Sequence, residues 1–432
     1  MHYLFEYQKW LLLIKTMVAL FLVLCLAYCS PHTKQVVYSK TIEGIDTLIY
    51  DSIIIGKTIS FEFENTSKTS PITFWFYNQN GVNYNSSATM LASILRDNMS
   101  DEQKAIAIWR LVTVSGFSHS FEYNHMLNDH VDPIALVRFP YFLCGEKAGI
   151  LANLAALAGL ESRVVGLDGH VVAEVKYNKT WHMFDADQGC YLSNTLKEIV
   201  SIEELQRHPE WLKSENATFI STDNFWGFDK YKKQIAEYQS SWIDTSFLIR
   251  NYTFPSTSIS LFPDDKVSFR LSPTSCWSSM LNPRYLYDTH GVFTRKLNQN
   301  QQNVQTNDST ITLTENFPYY LKLLRISSDS PMSTEVYIQY QNRITQKHQK
   351  TFLGILNGSD ELTQNFDAPS KSDIYYNYQI VFKHLSTSQI NHIRIEHEFE
   401  FNSVTFPLHY NDNKIITTDT FEQKSLTFQI VK

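Results

Sequence analysis

Hydrophobic and polar positions change rhythm several times along this chain, and each change marks a different kind of structure. Residues 17–28 (MVALFLVLCLAY) are an unbroken apolar run preceded by Lys9 and Lys15. That is shorter than the roughly 20 residues a membrane-spanning helix needs and has the length of a signal-peptide hydrophobic region. From residue 36 to about 76 the pattern is that of strands: 53–55 is β-branched, and Ile59-Ser60-Phe61-Glu62-Phe63 alternates strictly. Between 88 and 240 the period lengthens. Ala105, Ile108, Trp109 and Val112 fall on one face of a helix expected over 102–112. A second helix is expected over 145–158 (GEKAGILANLAALA), stopped by Gly159, with strands at 162–165, 171–177 and 181–184. Beyond 245 the helical pattern fades, and the Asn/Gln-rich stretch 297–307 reads as a linker. In 392–401, Ile393, Ile395, Phe399 and Phe401 lie on one face and Arg394, Glu396, Glu398 and Glu400 on the other. One face is therefore expected to be buried and the other wet, as in a β-sandwich.

Helices followed by strands define an α+β protein with flanking all-β segments. The expected organisation is a signal or anchor over 1–29, a β-rich segment over 30–85, an α+β core over 86–245, a β-rich connector over 246–305, and a C-terminal β-sandwich over 306–432. A length of 432 residues suits several domains, at about 150 residues each. With 43% apolar and 19% charged residues, global disorder is excluded. A net charge of −7 and the lack of any Lys/Arg-rich block exclude nucleic acid as a partner. Five cysteines are too few for a disulfide scaffold. Cys190 and Cys276 either pair in an oxidising compartment or remain buried thiols.

Three segments carry candidate chemistry: residues 142–148 (FLCGEKA), 169–175 (GHVVAEV) and 181–187 (WHMFDAD). Cys144 stands where a loop meets a helix start, and free backbone N–H groups there favour an anion. His170 opens one strand and Asp185 closes the next. If the two strands pair as a hairpin, imidazole and carboxylate converge on the helix start, where the histidine serves as base and the carboxylate fixes its tautomer. Asp187 competes with Asp185 for the orienting role, since both share one face by strand parity. Glu174 and Trp181 are expected to pack or hydrogen-bond behind this trio, whereas parity turns His182 away. The backbone N–H of Cys144 is the natural first oxyanion donor. The second stays open, with Tyr141 and Trp109 as candidates and Trp109 better suited to a helix core. His119, His125 and His130 lack the spacing of a helical metal face. No metal and no cofactor are expected.

On these residues, the stretch from about 100 to 192 resembles the transglutaminase-like cysteine-enzyme superfamily, with its Cys-Gly at a helix start, His-x-x-x-Glu strand and Trp-x-x-x-Asp strand. Cys144 matches the nucleophile, His170 the base and Asp185 the orienting acid; Glu174 and Trp181 fall at the pattern's spacing. Leu143, Val172 and Ala186 depart from common family residues without removing a reacting group. The resemblance implies a papain/transglutaminase-like core, a Cys-bearing helix packed on an antiparallel sheet. It further implies cofactor-free attack on amide bonds of a protein, peptide or cell-wall peptide through a thioester. Hydrolysis is the expected outcome, since no calcium-loop pattern accompanies the site, with acyl transfer to an amine acceptor through the same triad as the alternative. Residues 26–30 (LAYCS) resemble a bacterial lipoprotein signal in which Cys29 is acylated, with Tyr28 departing from the usual small residue. This implies an exported, membrane-anchored chain in the periplasm or at the cell surface. The alternative is a surface binding protein whose core is a scaffold and whose C-terminal β-sandwich holds glycan or a protein partner. Residues 375–385, 392–401 and 406–408 resemble β-sandwich domains of polysaccharide-handling proteins.

Overall fold

A computed structural model describes residues 36–43, 47–50, 59–67, 70–78, 81–118, 131–138, 141–220, 225–239, 243–244, 257–273, 287–299, 301–307, 309–341, 348–358, 360–366, 377–402, 413–417 and 425–431. The apolar run 17–28 with Cys29, the 53–55 strand, His119, His125, His130, Cys276 and residues 406–408 lie outside them. The fold is α+β and rich in strands. Among the described residues all sheets are antiparallel except the short pairing of Phe117–Ser118 with Tyr141–Phe142.

Most strands belong to a β structure built on one eight-stranded sheet. Its order is Val36–Glu43, Ser425–Val431, Ile59–Asn65, Lys266–Pro273, Tyr287–Lys296, Ile393–Glu400, Tyr320–Ser328, Glu361–Asn365. Strands far apart in the chain are thus neighbours, and residues near both ends close the same sheet. Phe61 and Phe63 from this sheet share an apolar cluster with Ile72, Phe74 and Leu261 of a four-stranded sheet. At its other end Leu324, Ile326 and Ile395 share a cluster with Leu313, Ile338 and Ile380 of a five-stranded sheet.

Two sequence expectations change here. Residues 297–307 are not a free linker: Leu297 is buried, Gln301 donates to the Lys296 carbonyl at 3.0 Å, and Val304–Asn307 pairs as a strand. Composition misses this because Leu297 and Val304 supply enough apolar surface to dock a polar stretch. The alternating strand runs Ile393–Glu400, and its buried face includes His397 as well as the aliphatic and aromatic positions. The His397 ring stacks on Phe293, its Nε2 meets the Tyr378 hydroxyl at 2.8 Å, and burial with the nearby Arg295 charge pushes its pKa down to about 3.

The unit that carries the candidate site begins at the helix Ser87–Ile94, capped by Ser86, and the helix Asp101–Val114, where Ser100 and Gln103 form a reciprocal capping box. The buried stripe Ala105, Ile108, Trp109 and Val112 is the one the period indicates. The next long helix, Cys144–Leu157, is buried continuously from Lys147 to Ala155, as a helix apolar on all sides must be. It ends at Gly159, whose φ of +83° suits a residue without Cβ. A four-stranded sheet follows, in the order Ile243–Asp244, Glu161–Leu167, His170–Tyr177, Thr180–Phe184. Its hairpin turns on Asn178 and Lys179, both at positive φ, a two-residue loop that fixes the pairing of Glu174 with Met183. The sheet is covered on both faces. Ala173 and Val175 share a core with Ile150, Leu151 and Leu154 of the Cys144–Leu157 helix. Val172 and Met183 share another with Leu205 of Ile202–Arg207 and Tyr231 and Ile235 of Phe228–Ala236.

Asn402 clasps this unit to the large sheet. Fully buried at the end of the Ile393–Glu400 strand, it donates Nδ2 to the carbonyls of Ser115 and Leu136, each at 2.7 Å. Its N–H meets the Val137 carbonyl at 2.8 Å. Removing the amide takes this donor from two carbonyls, at about 1–3 kcal/mol each. Asn402→Ala is therefore expected to lower the unfolding free energy by about 2–4 kcal/mol in chemical denaturation. A change under about 0.5 kcal/mol would mean that the clasp is not structural.

Candidate active site

Cys144 is the first residue of its helix and half-buried. Leu143 before it has no capping side chain, so Glu146 folds back and accepts the Leu143 N–H at 2.6 Å. The remaining N–H groups of the first turn have no acceptor within the helix and face the loop side, where Cys144 sits.

His170 opens the second strand of the sheet and is almost completely buried. Its Nε2 donates to Asp185 Oδ2 at 2.7 Å. Nδ1 has no conventional hydrogen bond and is the ring nitrogen left for the Cys144 side chain, which interacts with this imidazole. The indole of Trp226 packs edge-on against the ring, centroids 4.8 Å apart. Burial alone would lower the imidazole's pKa. The Asp185 charge and hydrogen bond, aided by Cys144, outweigh it and push the pKa up to about 10.

Asp185 follows the Thr180–Phe184 strand and is fully buried. Oδ1 accepts the N–H groups of Asp187 at 2.9 Å and Gln188 at 2.8 Å. Oδ2 accepts His170 and the Tyr231 hydroxyl, the latter at 2.6 Å. Its backbone carbonyl takes the Trp109 indole N–H at 2.9 Å and the Cys190 N–H at 3.0 Å. Burial raises the pKa of an isolated carboxyl, but the His170 charge and these donors hold Asp185 below the usual carboxylate range.

The sequence places Cys144, His170 and Asp185 in one site; His170 and Asp185 are in direct contact, and Cys144 interacts with the imidazole. The contest with Asp187 resolves differently from the parity argument. The strand stops at Phe184, Asp185 still bridges to Cys190, and residues 186–189 turn, so strand parity no longer governs Asp187. Asp187 instead accepts the Gln188 side-chain amide at 3.1 Å. Glu174 and Trp181 form a neighbouring cluster of their own. Glu174 accepts Arg163 Nε at 2.7 Å and the Ile202 N–H at 2.8 Å, fixing a helix start. Burial still holds Glu174 above the usual carboxylate range. The Arg163 guanidinium lies 4.1 Å from the Trp181 ring centre, so that tryptophan covers the ion pair and not the imidazole. His182 meets the Ile199 carbonyl at 2.5 Å, away from the site. Trp109 spends its N–H on Asp185 and is therefore no oxyanion donor. The side chain of Tyr141 lies outside the described residues. Cys190 is a free, buried thiol whose pKa burial raises.

Three contributors have no role assigned by the sequence reading. Tyr231 reaches Asp185 from a later helix, and nothing in its local pattern marks it. Gln188 accepts the Trp226 main-chain N–H at 3.0 Å, which ties the turn after Asp185 to the residue whose indole packs edge-on against the imidazole. Lys147, one helical turn after Cys144, is buried and donates to the carbonyls of Gly116 at 3.0 Å and Ala186 at 3.4 Å. Burial lowers its pKa, against the pull of Asp187 and Asp185. A lysine inside an otherwise apolar helix stretch was the signal available for it.

Among the described residues no group of three His, Cys, Asp or Glu side chains is arranged to hold a metal, and no helix is long and apolar enough to cross a membrane. No protein-family model, curated protein or solved structure matches the chain. A thiol beside an imidazole, held in place by a buried carboxylate, can act as a nucleophile–base pair.

The His170–Asp185 pair has a defined pH signature. Because the folded pKa of His170 lies above its ordinary 6.5, the pair stabilises fully below about pH 6.5 and loses that stabilisation as pH rises through about 10. Asp185 contributes above the carboxylate range and loses its contribution as pH falls through its depressed value. In denaturation from pH 6 to 10.5, the stability gap between the native chain and Asp185→Asn is expected to narrow with rising pH. A gap that stays constant would contradict the charged pair.

Proposed function

We propose that the chain is a transglutaminase-like thiol enzyme that cleaves amide bonds, hydrolytically, through Cys144, His170 and Asp185. The observation that carries this reading is the His170 ring, bound through Nε2 to Asp185 at 2.7 Å, left without a partner at Nδ1, and interacting with the Cys144 side chain. On this reading the core is papain/transglutaminase-like, a Cys-bearing helix against an antiparallel sheet. The chain is exported and anchored through a Cys29-linked lipid, and the substrate is a protein, peptide or cell-wall peptide.

The Cys144 thiolate attacks the carbonyl carbon. An S–C bond forms, and the carbonyl π pair moves to oxygen beside the first-turn N–H groups of the helix. When that pair returns, the C–N bond breaks and the departing nitrogen takes the proton from His170, leaving a thioester. Water then adds to the thioester carbonyl and gives a proton to His170. Collapse releases the acid, and the sulfur leaves as thiolate beside the reprotonated ring. Asp185 holds the ring's tautomer and offsets its positive charge throughout.

Incubation with a p-nitrophenyl ester, followed by peptide mass spectrometry, tests the reading. An acyl adduct on Cys144 that hydroxylamine removes is expected in the native chain. It should be absent in Cys144→Ala and formed about 10²–10⁴-fold more slowly in His170→Ala. Equal acylation with and without His170 would sink the proposal.

A further inference from the structure

We infer that Trp226 and Lys230 form an anion-recognition lip beside Cys144, so that the favoured substrate carries a carboxylate close to the scissile carbonyl. This rests on the thiol-enzyme reading and adds the substrate's charge to it. The Lys230 ammonium lies 3.8 Å from the Trp226 ring centre, and that indole in turn lies 4.8 Å from the His170 imidazole. One ring therefore separates a fixed cation from the reacting groups. The backbone of Trp226 is anchored, because Gln188 accepts its main-chain N–H and is itself bound to Asp187 in the turn that follows Asp185.

Among the described residues Lys230 makes no ion pair, although it is exposed on the Phe228–Ala236 helix with Asp229 beside it in sequence. The acids nearer the site are committed elsewhere: Asp185 to His170 and Tyr231, Asp187 to Gln188, and Glu146 to the Leu143 N–H. A cation–π contact holds an ammonium over a ring face while leaving N–H donors for a further acceptor. A carboxylate entering beside the indole finds that donor and that charge.

Competing alkylation reads the charge preference without knowledge of the natural substrate. Iodoacetate and iodoacetamide react alike: the Cys144 thiolate forms an S–C bond as the C–I bond breaks and iodide leaves with its electron pair. They differ only in carrying a carboxylate or a neutral amide. The ratio of their rate constants at Cys144 is expected to fall about two- to threefold in Lys230→Gln and further in Lys230→Glu. Lys230→Arg should retain it, and the differences should vanish at about 1 M salt. A ratio unchanged in Lys230→Gln, with both rates still dependent on His170, would overturn the lip and leave the thiol-enzyme reading intact. Rates indifferent to His170→Ala would overturn both.

Discussion

The buried contact between His170 Nε2 and Asp185 Oδ2 is the constraint around which the site is organised. Two groups of opposite charge are almost wholly out of water, and removing charges from water costs several kcal/mol per ion unless other donors and acceptors make up the loss. The surrounding structure does so at the carboxylate. Two backbone N–H groups and one phenol join the imidazole there, so both oxygens are filled. The imidazole is left with one ring nitrogen uncommitted, and Cys144 interacts with this ring. The asymmetry is chemically useful, because a base fixed on one side and open on the other has one direction in which to move a proton.

The supports come from parts of the chain distant in sequence. Trp109 from an early helix and Cys190 from a later strand both bond to the Asp185 carbonyl. Lys147 ties the Cys144–Leu157 helix to the carbonyl of Ala186. The helix that carries the thiol and the turn that carries the carboxylate are thereby held to each other directly as well as through the sheet. Farther out, Asn402 fastens the helical end of this unit to the eight-stranded sheet.

Local pattern made much of this legible. The helix stripe of Ala105 to Val112, the helix ending at Gly159 and the three strands after it follow from period and turn chemistry, which act over a few residues. Cys144, His170 and Asp185 could be grouped because each stands at an element boundary and the boundaries meet in one hairpin and one helix start. What escaped depends on contacts between distant residues. Tyr231 is an ordinary buried tyrosine by its neighbours, and only the packing of its helix on the sheet brings it to Asp185. The polar appearance of 297–307 hid a strand, since pairing with Thr310–Asn316 satisfies its backbone whatever its side chains are. Strand parity does not carry to Asp187 because the chain turns over 186–189, directly after the Asp185–Cys190 bridge, where alternation no longer applies.

Nitrogen NMR of the His170 ring, followed across pH in the native chain, bears most directly on the charged state at the centre of the site. A ring protonated at both nitrogens at pH 7, and remaining so until about pH 10, is the expected result. A neutral ring at pH 7, titrating near the ordinary 6.5, would contradict it.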